Sequence, residues 1–202
     1  MHADLAALVV HDLKNALGAL EAELGVLAQQ PDRARALQSH RHCSALRERF
    51  VMYLALYGAD GEMRAHPTDE SPADLLQALA GPVAGDPPAL SMQVALQPSA
   101  PPFWFFDRRL VRLALEAALH NAKRFARRQV ALGARCEEGC LVLHVDDDGP
   151  GLGAALPSNA STGLGTALCK AVARAHANAG RTGRVTLGPR PGGGARFELW
   201  LP

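Results

Sequence analysis

No stretch of this 202-residue chain comes near the run of about 18 apolar residues that a membrane-spanning helix needs, so no bilayer span is expected. Cysteine is scarce as well: the four present are too scattered for a disulfide framework. Two of them, Cys136 and Cys140, flank the turn sequence "EEG" and are expected to face each other across two strands. No second closely spaced pair accompanies them, which argues against zinc. An excess of one charge is missing too. A net charge of +1 creates no broad field for nucleic acid or an acidic membrane surface. The N-terminus carries an acid at Asp4 and no basic leader, and its apolar run is too short for a signal peptide. A reduced, cytoplasmic protein is expected.

What is there instead suits a soluble globular chain, with 48% hydrophobic and 20% charged residues. The length allows one large domain or a domain plus an appendage. Ala6, Val10, Leu13, Leu17, Leu20, Leu24 and Leu27 recur at spacings of four and three, which is an a/d helical seam. "QQPD" ends it, and Pro31 suits the first turn of a new helix. Cys43, Leu46, Phe50, Tyr53 and Tyr57 continue the period there, until the glycines of "YGADGE" supply a stop. The short turn makes an antiparallel hairpin. Two helices alone bury too little, so pairing with a second copy into a four-helix bundle is expected.

Beyond a linker near 58–68 the texture becomes mixed. Ser71 and Pro72 read as the N-cap and first position of a helix. "ALSMQVALQ" alternates Leu90, Met92, Val94 and Leu96 on one strand face, and "PPFWFF" reads as a further strand. "DRRLVRLALEAALHNAKRFARR" reads as a helix, "QVAL" and "CLVLHV" as strands, 164–177 as a helix, and "GRVTLG" and "ARFELWL" as closing strands. Without strict βα alternation, the fold class is α+β, a sandwich of helices on a sheet. The boundaries drawn are 1–60 for the hairpin and 61–202 for the mixed domain.

Polar residues interrupt these patterns at four places. In "HDLKNALGAL", His11 and Asn15 are four apart and share an exposed helix face that core packing does not require. Such a face is commonly just solvated. Beside Asp12, however, the imidazole gains a base for its ring proton, and Asn15 can place a water or an oxyanion. Asn121 falls, at 100° per residue, between Leu110, Ala114 and Ala117, where an unpartnered amide costs about 1–3 kcal/mol. It needs a nearby backbone group, a ligand or a metal-bound water. Asp147 continues the face of Leu141, Leu143 and Val145 just before Gly149, Pro150 and Gly151. A buried carboxylate there wants a donor, and the exocyclic amine of a purine is one. Asp146 and Asp148 point the other way and are expected to be solvated. Gly163 and Gly165 open a helix whose free N–H groups favour phosphate. Other histidines carry less: i and i+2 positions in "HRHC" diverge on a helix, so His40 and His42 do not form a metal cluster, His120 belongs to a polar face, and His176 to a helix end.

Together these residues resemble the transmitter part of bacterial sensor histidine kinases: a dimerising hairpin with an ATP-binding domain of the gyrase, Hsp90, histidine kinase and mismatch-repair type. The resemblance covers nearly the whole chain. It implies that "HDLKN" is the phospho-acceptor box, with His11 taking the phosphoryl group, Asp12 as its base, and Asn15 aiding dephosphorylation of the partner. "HNAKRF" is similar to the asparagine box, implying Asn121 as Mg²⁺ ligand and Arg124 as a phosphate contact. "DDDGPGL" and "TGLGTAL" resemble the two glycine boxes. They imply Asp147, with Gly149 and Gly151, at the adenine, and Gly163, Leu164 and Gly165 near the phosphates of ATP.

Departures from the family pattern are legible too. Ala16 stands where the acceptor box bends at a proline, Ala117 where a polar residue precedes the box asparagine, and Ser161 where the second glycine box opens. Residues 152–162, where the family carries a longer lid, lack the phenylalanine motif and any basic residue. Phosphoryl transfer rests on positioning and charge neutralisation, so this clipped segment bears on rate. The leading expectation is a soluble kinase that autophosphorylates His11 from Mg-ATP and passes the group to a response regulator aspartate. The others are a phosphotransfer or phosphatase adaptor, and a non-enzymatic nucleotide-tuned regulatory dimer. A separate sensor protein is an expected partner; nucleic acid and membrane are not.

Overall fold

The computed structural model describes residues 2–57, 63–81, 90–152 and 164–202. The chain divides into two compact units, Met1–Glu62 and Met63–Pro202. In the first, α1 (His2–Gln29) and α2 (Arg33–Tyr57) pack as a hairpin. The break falls at Pro31, but the proline is not the first helical residue. Asp32 caps α2 instead, its Oδ1 accepting the Arg35 N–H at 2.8 Å, so Pro31 stands one residue outside the cap.

The heptad rows of α1 divide between two environments. Leu20 is buried and Leu13 and Leu27 are half-buried, whereas Leu17 and Leu24 are 57% and 49% exposed. On α2, Ser39 is buried and Leu46 and Tyr53 half-buried, while Cys43 and Phe50 are exposed or nearly so. One row of each helix therefore faces its hairpin neighbour and the other is left bare. Between the helices Glu23 accepts from Ser39 Oγ at 3.2 Å and meets His42 Nδ1 at 2.8 Å. His42 of the "HRHC" run is thus engaged with a carboxylate.

The second unit is a helix-on-sheet sandwich. β1 (Thr68–Glu70) pairs antiparallel with β3 (Trp104–Phe106), and β6 (Ala177–Asn178) with β7 (Arg181–Thr182). The main sheet takes β2 (Ser91–Leu96), β4 (Gln129–Glu137), β5 (Cys140–Asp147), β8 (Arg184–Pro189) and β9 (Ala195–Leu201) in the order β2-β4-β5-β9-β8. Among the described residues only the β2–β4 pairing of this sheet is parallel. Against one face lie α3 (Pro72–Ala80), α4 (Arg108–Phe125) and α5 (Leu164–Ala175).

Local chemistry sets the helix starts. Ser71 caps α3, accepting from Asp74 N–H with Pro72 at the first position. Asp107 caps α4 through Leu110 N–H and also accepts from His66 N–H. Burial raises the Asp107 pKa, but these backbone donors and the Arg109 charge outweigh it and hold the carboxyl below its usual range. Leu75, Leu76, Leu115, Leu132, Leu143, Leu168 and Leu199 form the core between the layers, each with no exposed surface. Each such leucine contributes about 1.5–3 kcal/mol of hydrophobic stabilisation.

β5 is the central strand, and all eight of its residues are buried. On the face away from the helices, long side chains from its neighbours do the covering. Trp200 packs with Cys140 and Val142, beneath the Arg184 guanidinium at 3.8 Å from its ring. His144 lies over Gly133, where a Cβ would collide with the imidazole.

The β4–β5 turn corrects the cysteine expectation. Glu138 and Gly139 form a two-residue turn with φ of 52° and 66°, the twist that suits a tight hairpin. Glu137 therefore belongs to the strand and pairs with Cys140, while Cys136 pairs with Leu141. The two thiols are not opposite each other, and both are free.

Candidate functional site

Two contacts fix how α4 and α5 run against each other. Asp107, at the start of α4, donates its N–H to His176 Nε2 just beyond the end of α5, at 3.0 Å. Seven residues on, Ala114 O accepts from Cys169 Sγ, seven residues back from His176, at 3.4 Å. The helices are thus antiparallel, and Asn121 lies seven residues beyond Ala114 on α4. His176 is more than a helix end: it is buried, with Nδ1 against Val172 O at 2.8 Å. Burial pushes the Cys169 thiol up to about 12, so it acts as packing rather than as a nucleophile.

Asn121 is half-buried on the side of α4 that carries Leu110, Ala114 and Ala117, all three buried. Among the described residues no hydrogen bond takes its carboxamide. One turn further, Arg124 is exposed with its guanidinium 5.4 Å from the Phe125 ring. Lys123 and Arg124 place positive charge in the last turn of this helix.

The loop after β5 meets the end of α4. Asp147 lies on the helix-facing side of the sheet and is 7% exposed. Its Oδ1 accepts the N–H of Gly149 at 2.8 Å and of Ala195 at 3.4 Å. Oδ2 takes no hydrogen bond among the described residues. A Cβ at Gly149 would stand 2.5 Å from Phe125 O and 2.7 Å from that same Oδ1. Glycine is therefore required there by close approach. Gly194, from the turn between β8 and β9, lies so close to the Asp147 carbonyl that a Cβ would collide with it. No pattern in "PGGGAR" signals this approach, because it arises only when β9 pairs with β5.

The neighbouring acids do not behave as solvated groups. Asp146 is 4% exposed and clamped by Arg196, with contacts of 2.7 and 2.6 Å, and by Arg190 at 3.6 Å. Asp148 turns back to the α4–β4 connection and accepts backbone N–H groups from Arg127, Arg128 and Gln129. Alternation predicts the side to which each points; it says nothing of arginines some 50 residues downstream that cover that side.

Leu164 opens α5 with its side chain in the core, and Gly165 follows half-buried. Gly163 and residues 153–162 lie outside the described residues. In the hairpin unit, His11 and Asn15 are both exposed, with Asn15 Nδ2 bonded to His11 Nδ1 at 3.2 Å. Asp12 belongs to the same helix; its side chain also lies outside the described set. Among the described residues no helix is long and apolar enough to cross a membrane.

In the second unit, then, the Asn121 carboxamide and the Asp147 Oδ2 atom each take no hydrogen bond among the described residues. A carboxylate oxygen suits an amine donor, and a helix N-terminus suits an anion. Comparison with known proteins bears on the family of this unit. Residues 106–202 match the histidine kinase-, DNA gyrase B-, and HSP90-like ATPase family. The histidine kinase AdeS of Acinetobacter baumannii shares the fold over 95% of this chain and 96% of its own, with a TM-score of 0.63 at 18% identity. The ATP-binding domain of PrrB from Mycobacterium tuberculosis is 30% identical, over 68% of this chain and 96% of its own, with a TM-score of 0.50. No curated protein sequence matches significantly. The chain belongs to the histidine kinase-, DNA gyrase B-, and HSP90-like ATPase family, whose domain its second unit forms.

Proposed function

We propose that this chain is a histidine kinase that binds Mg-ATP between α4, the Asp147–Gly151 turn and the start of α5, and phosphorylates His11. The observation that carries the reading is the divided carboxylate of Asp147. One oxygen is held by Gly149 and Ala195, and the other is left for the exocyclic amine of adenine. The Asn121 carboxamide, with no hydrogen bond among the described residues, would hold Mg²⁺ through its oxygen. Bound there, Mg²⁺ supplies charge neutralisation on the phosphates. Arg124 and the α5 N-terminus, with Leu164 and Gly165, are assigned to the anionic end of the nucleotide.

In the transfer, an imidazole nitrogen of His11 forms a bond to the γ-phosphorus. The bond from that phosphorus to the bridging oxygen breaks, and ADP leaves with the electron pair. Asp12 takes the ring proton, and Asn15 places the water that later hydrolyses the regulator's phosphoaspartate. The group then passes to an aspartate of a response regulator receiver domain. The bare row of Leu17, Leu24 and Phe50 supports a homodimeric four-helix bundle, because half of each seam needs a cover. The proposed place of action is the cytoplasm.

Incubation with γ-labelled ATP and Mg²⁺ should put an acid-labile label on the wild type and none on His11→Ala. Equal labelling of both would overturn the assignment of His11. A phosphorylated receiver that charges His11 while ATP does not would favour the adaptor reading, which the short 152–162 segment motivates.

A further inference from the structure

Asp148 supplies a coupling that no ligand contact requires. The N–H groups of Arg127, Arg128 and Gln129 are consecutive, and together they form a concave anion nest. The chain fills it with its own carboxylate. Asp148 Oδ1 accepts from Arg127 at 2.8 Å, Arg128 at 3.1 Å and Gln129 at 3.1 Å, and Oδ2 accepts from Arg128 at 3.1 Å. Directly beside this, the Phe125 carbonyl at the end of α4 rests on Gly149. The end of α4 is thus fastened to the loop after β5 by hydrogen bonds and by a backbone contact that admits no side chain.

The consequence lies on either side of the fastening. Asn121 sits one helical turn before Phe125, and Asp147 is the residue immediately before Asp148. The separation between carboxamide and purine-reading carboxylate is therefore set through this joint. We propose that Asp148 is a positioning residue that couples the adenine end of the site to its Mg-phosphate end, so that one nucleotide satisfies both at once. The proposal rests on the nucleotide reading above and adds a residue that contacts neither ligand group. The Asp148 carboxyl stays ionised in the nest. Desolvation raises its pKa, but the Arg128, Gln129 and Arg127 N–H donors outweigh that and hold it below the usual range.

The test is calorimetric titration of the full chain with two probes, Mg-ADP and adenosine, for wild type, Asp148→Ala and Asp148→Asn. Adenosine engages the Asp147 end alone, whereas Mg-ADP needs both ends. Asp148→Ala should weaken Mg-ADP by about tenfold, within the usual range for coupling between two sites, and leave adenosine within about twofold. Asp148→Asn keeps an acceptor oxygen for the three bonds now made to Oδ1, so its Mg-ADP affinity should fall between the other two. Equal weakening of both probes would assign Asp148 a merely structural role and overturn the proposal, as would no change in either. A wild type that takes up neither probe would bring down the nucleotide reading itself, and this proposal with it.

Discussion

The two units solve the burial problem differently. In Met63–Pro202 the layers close on each other, and leucines on α3, α4, β4, β5 and β9 have no exposed surface. In the hairpin, Leu20 is the one apolar side chain buried among the described residues, and it retains 7% exposure. Leu17, Leu24, Leu37 and Phe50 stand about half exposed or more. The ATPase unit supplies its own core, whereas the hairpin leaves half of its described apolar seam uncovered. Stability of the second is thus a property of one molecule, whereas under the proposed dimer stability of the first would depend on concentration.

The sharpest way to break that contrast is to charge the bare row. Leu17→Glu with Leu24→Glu should convert dimer to monomer in sedimentation analysis and leave adenosine binding unchanged. Persistence of a dimer would show that another surface holds it. Next in size is a cavity in the closed core. Leu132→Ala, at a position with no exposed surface, should cost about 2–5 kcal/mol in urea unfolding of the second unit's transition. That cost should not vary with protein concentration.

The smallest effect comes from His144, on the outer face of β5. Burial lowers its pKa from 6.5, helped by Arg196 and Arg135 and opposed by Asp146 and Glu198. The fold therefore favours the neutral ring. Its contribution is complete above about 6.5 and is lost as pH falls through the depressed folded value. His144→Gln should flatten the decline in urea stability between pH 7 and pH 5; an unchanged slope would place the acid sensitivity elsewhere.

Periodicity made much of this fold legible. The heptad row of α1, the Ser71-Pro72 start of α3, and the alternation through Leu141, Leu143, Val145 and Asp147 each follow from a repeat and a cap. β1 was not legible, because "TDE" has no apolar alternation and becomes a strand only by pairing with β3. The cysteine register failed by one residue because a two-residue turn and a three-residue turn read alike in "EEG". Asp146 and Asp148 defeated sequence reasoning for a different reason. Burial of a charge depends on partners brought in by tertiary pairing, and Arg196, Arg190 and the Arg127–Gln129 backbone are remote from them in the chain.

Three successive carboxylates on one strand end each answer to a different neighbour: arginines on one side, a prospective purine on the other, and a helix terminus behind. Because adjacent residues of a strand alternate sides, these assignments cannot drift one at a time. Deleting a single residue upstream in β5 would hand every carboxylate its neighbour's role. The proposed recognition element is therefore phase-locked to the sheet, and evolution can retune it by point substitution but not by shortening the strand.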